Sequence, residues 1–421
     1  MHKKQSRESG HVLALVACIV VIVTLMSLSM LSISLNSRTL AIRTTQKIQA
    51  RCAADAGLTK GLFEMNEKLK VKKWDDSSLP SSTDETLPNV DAVFSYKITR
   101  AADYKDMGSI GFKLASGATN RYIIASVGKA GIAQKQVYGQ FGLKGLFDHA
   151  VLAKNSQVLK SDTLVDGYNS LDATDTDVDV KVGTLSTLPE QVVLNSNVVV
   201  NGDVFVGVDG DVNTVIRDEG ATTGARYAML EEPPLPTITP PVLPDIGTDI
   251  IVDGATITLG PADSGKYEDI DISGNGILEI SGGEVTIHIT GDIELDNGCE
   301  IIVKDGASLI LYADGDVLCR NGSSIGLEGA PQQPQNLQIY STSTGAEART
   351  FDLKAKSNWS GVVYAPNVYV VLRAQADVYG SFVAKDFEFK NGGNMYYDKA
   401  LRTVSTDDEG VRFVMQRWSE R

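Results

Sequence analysis

Residues 277–318 read ILEISGGEVTIHITGDIELDNGCEIIVKDGASLILYADGDVL. Apolar and β-branched residues come in short runs, each cut by a turn pair: Gly282-Gly283, Gly291-Asp292, Asn297-Gly298, Asp305-Gly306 and Asp314-Gly315. Gly, Asn and Asp supply the backbone conformations that tight turns need, so the runs read as strands and the pairs as corners. Gly274-Asn275-Gly276 precedes the stretch and Asn321-Gly322 follows it, and the 6 to 10 residues between turns leave four to six per strand. An earlier stretch, VVLNSNVVVNGDVFVGVDGDV at 192–212, has the same texture.

Two architectures fit this rhythm. A sandwich of hairpins would put Asn-Gly turns between antiparallel strands. A right-handed β-helix would coil three short strands per rung, each rung completing the core of the next. Segments such as VTIHIT and IEL are short for hairpin partners, and the texture lasts from about Asp148 for more than 200 residues. A β-helix over residues 148–400 is the expectation. Within it, residues 231–244 (EEPPLPTITPPVLP) hold six of the 13 prolines. Such a stretch cannot pair as regular strand and reads as a stiff extended connector. With boundaries at 231–246, it either splits the β region into two portions or runs over the coil's surface.

The other end of the chain has a different texture. The run from Val12 to Leu35 carries no charge over 24 positions, more than the roughly 20 residues needed to cross a bilayer core. It is too long for a signal peptide, and no small-residue cleavage site closes it. From Asn36 to about Trp74 the pattern stays helical, with Leu58, Leu62, Met65 and Leu69 on one face. Together these make one helix of about 60 residues, about 90 Å long at 1.5 Å per residue. Ser27, Ser29, Ser32 and Ser34 are small enough for helix packing in lipid, or are simply tolerated there. Lys3, Lys4 and Arg7 favour a cytoplasmic N-terminus, whereas Arg38, Arg43, Lys47 and Arg51 oppose it. Residues 75–90 (DDSSLPSSTDETLPNV) end the helix. Strand-like runs at 92–98, 121–127 and 134–141 then form a small β-rich region over 75–147, and 401–421 is a terminal strand or tail. The fold class is therefore mainly β, with a long transmembrane and amphipathic N-terminal helix.

The net charge of −14 is uneven: residues 1–73 carry 12 Lys and Arg against 4 Asp and Glu, and the remainder is strongly acidic. That balance argues against nucleic acid, whose binding rests on neutralising phosphates, and fits solubility. Cys18 and Cys52 lie on the helix as small apolar residues. Cys299 and Cys319 could pair if a repeat stacks them and the location is oxidising. Catalytic signals are few. His2 and His11 lie in the leader region, which leaves His149 and His288 in the soluble part, and His288 alternates with apolar residues as a satisfied strand residue does. Gly322-Ser323-Ser324-Ile325-Gly326 matches GxSxG but lacks the following helix of a nucleophile elbow. Asp172, Asp175, Asp177 and Asp179 could surround a hard cation, yet Val180 stands where an EF-hand loop needs Gly, and a solvated acidic segment fits better. Asp269 and Asp271 are a pair that strand alternation produces by chance. No cofactor, metal ligand set or enzymatic step is expected, although β-helices also host polysaccharide-acting enzymes.

The opening RESGHVLALVACIVVIVTLMSLSMLSIS (7–34), followed by RTTQKIQARCAADAGLTKGL (43–62), resembles the N-terminal region of PilX-type minor pilins and pseudopilins. The likeness covers about residues 5–65 and includes a motif close to AAEAGL, here Ala53, Ala54, Asp55, Ala56, Gly57 and Leu58. It implies a leader over 1–10 cut between Gly10 and His11, and a helix over 11–74 anchored in the inner (cytoplasmic) membrane. It also implies partners among other pilin-like subunits and lipid, and a place in a type IV pilus or type II secretion-related apparatus. Leu15 departs from the family, because major pilins have Glu five places past the cut; pseudopilins proposed for the fibre tip share that absence. His11 departs too, where Phe or Met is usual. SGVVYAPN (360–367) with VYGSFVAKDFEFKNGGNMYYDKAL (378–401) resembles the bactofilin-like β-helical domain found behind such N-termini. The alternative function is an envelope-anchored β-helix binding a glycan or surface partner, followed by a polysaccharide-acting enzyme.

Overall fold

The computed structural model of the chain describes residues 8–70, 74–105, 107–112, 121–172, 174–175, 178–328, 333–355, 358–374, 377–390, 392–403 and 408–421. It is mainly β with one long N-terminal helix, and it divides into two compact units: Met1–Leu143 with Arg412–Arg421, and Lys144–Val411.

In the first unit the helix runs over Glu8–Leu69. No Gly or Pro interrupts residues 11–56, so nothing breaks the hydrogen-bond ladder there. Hydroxyls inside the apolar part bond back to their own helix: Thr24 Oγ1 donates to the Val20 carbonyl at 2.6 Å and Ser27 Oγ to that of Val23 at 2.8 Å. That removes polar groups which lipid could not satisfy. The helix stops at Leu69, short of Trp74. The Trp74 indole donates to Tyr122 Oη at 3.0 Å and lies 5.4 Å from the Phe413 ring, a docking that a continued helix would forbid.

A five-stranded sheet accompanies the helix, in the order Ser81–Thr86, Val93–Arg100, Arg121–Ala130, Ala133–Lys144 and Arg412–Glu420. The first four are antiparallel neighbours. The chain's last strand joins through reciprocal bonds between the Gln136 and Arg421 backbones, at 2.8 and 3.3 Å.

The second unit is a coil of parallel strands in three ladders. One ladder runs Gly265–Tyr267, Glu284–Ile289, Ser308–Ala313, Leu337–Ser341, Trp359–Ala374, Val378–Phe389, Val151–Ala153, Val180–Thr184, Gly202–Val206, Arg226–Ala228. A second begins at Ile250–Asp253 and Ile270–Ser273 and ends at Gln157–Leu159, Val192–Leu194 and Ile216–Asp218. Thr256–Leu259, Ile277–Ile280, Glu300–Val303 and Ser324–Leu327 open the third face, and Asn394–Asp398, Leu164–Tyr168, Val199–Val200 and Thr222–Thr223 close it.

The spatial order is not the chain order. The stack begins at residue 250, proceeds to 398, continues at 151 and ends at 228. The joint in the middle is made like every other step: Phe382 sits over Val151 and Phe387 over Gln157, in parallel register. Inward rows such as Leu311, Ile339, Val363, Phe382 and Val151 are no more than 1% exposed, each side chain contributing about 1.5–3 kcal/mol of burial. Strands of four residues are stable here because each pairs in register with a neighbouring rung.

Candidate functional site

Two surfaces, one in each unit, are the candidate sites. The first is the helix. Residues from Leu13 to Leu35 stand in the open, with Leu13 75% and Leu35 56% exposed, and this helix is long and apolar enough to cross a membrane. Gly10 and His11 fall in its first turns, while residues 1–7 lie outside the described residues. Further along, the helix buries a stripe of small side chains, Ala50, Ala53, Ala54, Gly57 and Gly61, and then Met65 and Leu69, while Leu62 is only half-buried.

That stripe sets how closely helix and sheet approach. A Cβ on Gly57 would stand 2.3 Å from Ser126 Oγ and 2.8 Å from the Phe94 ring; one on Gly128 would stand 2.0 Å from the Ala50 carbonyl oxygen. Ala53, Ala54, Gly57 and Leu58 are thus the contact face of the Ala53-to-Leu58 motif. Asp55 turns aside toward Arg51, at 3.9 Å. The spacing of small residues at 50, 53, 54, 57 and 61 was readable in the sequence, but only the sheet shows what they meet. Polar contacts fasten the edges. Lys60 Nζ lies 2.6 Å from both Glu85 oxygens, which raises the lysine's pKa and lowers the glutamate's. Asn66 engages both backbone groups of Phe413, accepting from its N–H at 2.7 Å and donating to its carbonyl at 3.3 Å.

The second surface lies on the outside of the first ladder. In-register stacking brings His288, Tyr312, Tyr340 and Tyr364 into one outward row that continues to Phe205 and Tyr227. The Tyr312 and Tyr340 rings are stacked at 5.5 Å. These rings point away from the core, yet Tyr312 and Tyr340 are 2% and Tyr364 0% exposed. Phe147 covers Tyr340 and Tyr364 at 6.4 Å, and His149 covers Phe205 at 4.9 Å. Tyr364 Oη donates to the Pro236 carbonyl at 2.7 Å, and Ile238 of the same proline segment is buried. Burial pushes the Tyr340 and Tyr312 phenols up and His149 down to about 4.

The remaining candidate residues sit in structural roles. His288 Nε2 lies 2.9 Å from Asp314 Oδ1. Ser324–Leu327 is a strand, with Ser324 over Glu300, and Ser323 Oγ donates to the Arg320 carbonyl at 2.7 Å, so no nucleophile elbow forms. Asp172 accepts from Thr174, Asp175 from Asn169 and Lys399, and Asp179 pairs with Lys181; Asp177 lies outside the described residues. Among the described residues no cluster is placed to hold a metal ion. The stacking considered for Cys299 and Cys319 does not occur. Both thiols are free and buried, because the rung repeat puts Cys319 over Leu295 and Ser324 over Glu300. Asp269 belongs to a pattern hidden in the sequence: its Oδ1 accepts the Asp292 N–H, Asp292 accepts that of Asp316, and Asp316 that of Thr350.

Residues 244–404 match a family described as a domain of unknown function, DUF7305. No curated protein matches the chain. Among solved structures, the competence-associated pilin ComZ from Thermus thermophilus is 12% identical. The match covers 90% of this chain and 98% of that one at a TM-score of 0.24, a level from which no common fold follows.

Proposed function

We propose that the chain is a membrane-anchored, minor-pilin-like structural component of a type IV pilus or type II secretion-related apparatus. In this reading the coil is a right-handed β-helix, the hand that parallel crossovers adopt almost without exception, displayed outside the inner membrane. One observation carries the proposal: a single 62-residue helix leaves its apolar half bare and seats its other half on a sheet through the Ala53-to-Leu58 motif. A bare apolar helix belongs in lipid or among like helices. The seated half holds the five-stranded sheet of its own unit against the helix. Leu15, in place of an acid, leaves a neighbour's N-terminal ammonium without a partner, which suits a subunit at the fibre tip. The glycan-binding alternative has less support, because the stacked tyrosines are covered rather than open.

N-terminal sequencing of the membrane-extracted protein tests the reading. A mature chain beginning at His11 and co-purifying with pilin subunits, with both lost on Gly10→Val, is the expected result. An intact Met1 with no pilin partner would overturn it.

A further inference from the structure

The proline segment does more than cross a surface. It leaves the last rung at Met229, whose N–H bonds the Val206 carbonyl at 3.0 Å, and rejoins the coil at the opposite end, where Asp245 pairs with Lys266. Those ends lie ten strand steps apart along the first ladder, about 48 Å at roughly 4.8 Å per step. The residues from Ala228 to Asp245 reach about 53 Å at 3.1 Å each in an extended proline helix, but only about 23 Å as a flexible coil. Six prolines are therefore what lets so short a segment span the stack, and it does so almost taut. Its contact at Pro236 agrees: Tyr364 is five steps from Tyr227, and nine extended residues cover a similar distance.

The segment is thus the one covalent link between two pieces, residues 1–228 and 245–421. The other ties between them among the described residues are non-covalent and include the rung joint of Val151–Ala153 and Gln157–Leu159 on Val378–Phe389, Leu164–Tyr168 on Asn394–Asp398, and the terminal strand Arg412–Glu420 beside Ala133–Lys144. The joint has the same parallel register and apolar rows as every step, so it fits a second copy's piece as well as its own.

We propose that this joint is an exchangeable interface whose partner is a second copy of the chain, with the proline segment as the hinge. Residues 1–228 of one copy complete the coil begun by residues 245–421 of another, and the reverse. Two coils side by side and antiparallel close this exchange with two-fold symmetry, because the end of each then lies beside the start of the other and each hinge crosses only the gap between them.

The test uses the full chain in detergent, with Cys18 and Cys52 replaced by Ser. Asn155 N–H bonds the Lys385 carbonyl at 2.7 Å across the joint. One copy carries Asn155→Cys and a co-expressed, differently tagged copy carries Lys385→Cys. A disulfide-linked dimer containing both tags is expected. No such dimer, while a chain carrying both cysteines closes its own disulfide, would overturn the proposal. Deleting residues 237–242 leaves a hinge that reaches at most about 38 Å fully extended, too short for its own coil. The mass should then shift from monomer to dimer with the β spectrum retained; a monomer with that spectrum would equally sink the idea.

Discussion

Asp292 Oδ1 accepts the backbone N–H of Asp316 at 2.7 Å, one rung away, and Asp269 does the same for Asp292 at 2.6 Å. The aspartates thus form a ladder of their own along one corner of the coil, with Arg349 Nη1 3.7 Å from both Asp292 and Asp316. The glycines before Asp292 and Asp316 are required by this contact, since a Cβ on Gly291 would lie 1.9 Å from Asp269 Oδ1 and one on Gly315 2.2 Å from Asp292 Oδ1.

Replacing Asp292 by Ala leaves the Asp316 N–H without its acceptor at a half-buried corner, at a cost of about 1–3 kcal/mol. Asp292→Asn keeps an acceptor oxygen and should lose much less. Urea midpoints of the two variants check this; equal losses would show that charge, not the acceptor, matters.

Gly128→Ala drives a methyl to within 2.0 Å of the Ala50 carbonyl oxygen and 2.4 Å of the Ala54 nitrogen, backbone atoms that cannot step aside. About 1–3 kcal/mol should be lost from the helix-bearing unit. Gly108→Ala, which meets nothing within 4 Å, serves as the control. Faster proteolysis between the helix and the sheet in the first variant alone is the expected readout.

His149 is buried against Phe205, and burial lowers its pKa from 6.5 to about 4. The unfolded chain therefore binds a proton that the folded chain refuses between those values, and stability falls as pH drops from about 6.5 towards 4. The full effect is about 3 kcal/mol at 1.36 kcal/mol per pH unit. Denaturation at pH 7 and pH 4.5 should show a steeper acid loss in the native protein than in His149→Gln. Parallel losses would assign the acid sensitivity elsewhere.

Burial pushes the Cys319 thiol up to about 11, and Cys299 is fully buried too. Neither should react with iodoacetamide in the native protein, whereas the exposed Cys52 should. Mass spectrometry after alkylation, with and without denaturant, reads this directly. Protection lost only after reduction would instead reveal a disulfide.

Much was legible in the residues themselves. An uncharged run from Val12 to Leu35 forms a bare apolar helix because nothing in it breaks the ladder or demands water. Short β-branched runs between Gly-Asp and Asn-Gly pairs form short strands because those pairs turn the chain. These are local properties, and local sequence determines them. Register was not legible: nothing in the spacing of Cys299 and Cys319 shows that a rung here repeats about every 24 residues at Leu295 and Cys319, which sets those thiols apart.

The tertiary structure alone decided that residue 384 lies over residue 153 and that the stack starts at 250 rather than 151. Such a joint pairs segments more than 200 residues apart, and a rung's apolar row fits any similar row. The proline segment, held extended, reaches far enough for those two rows to meet within one chain.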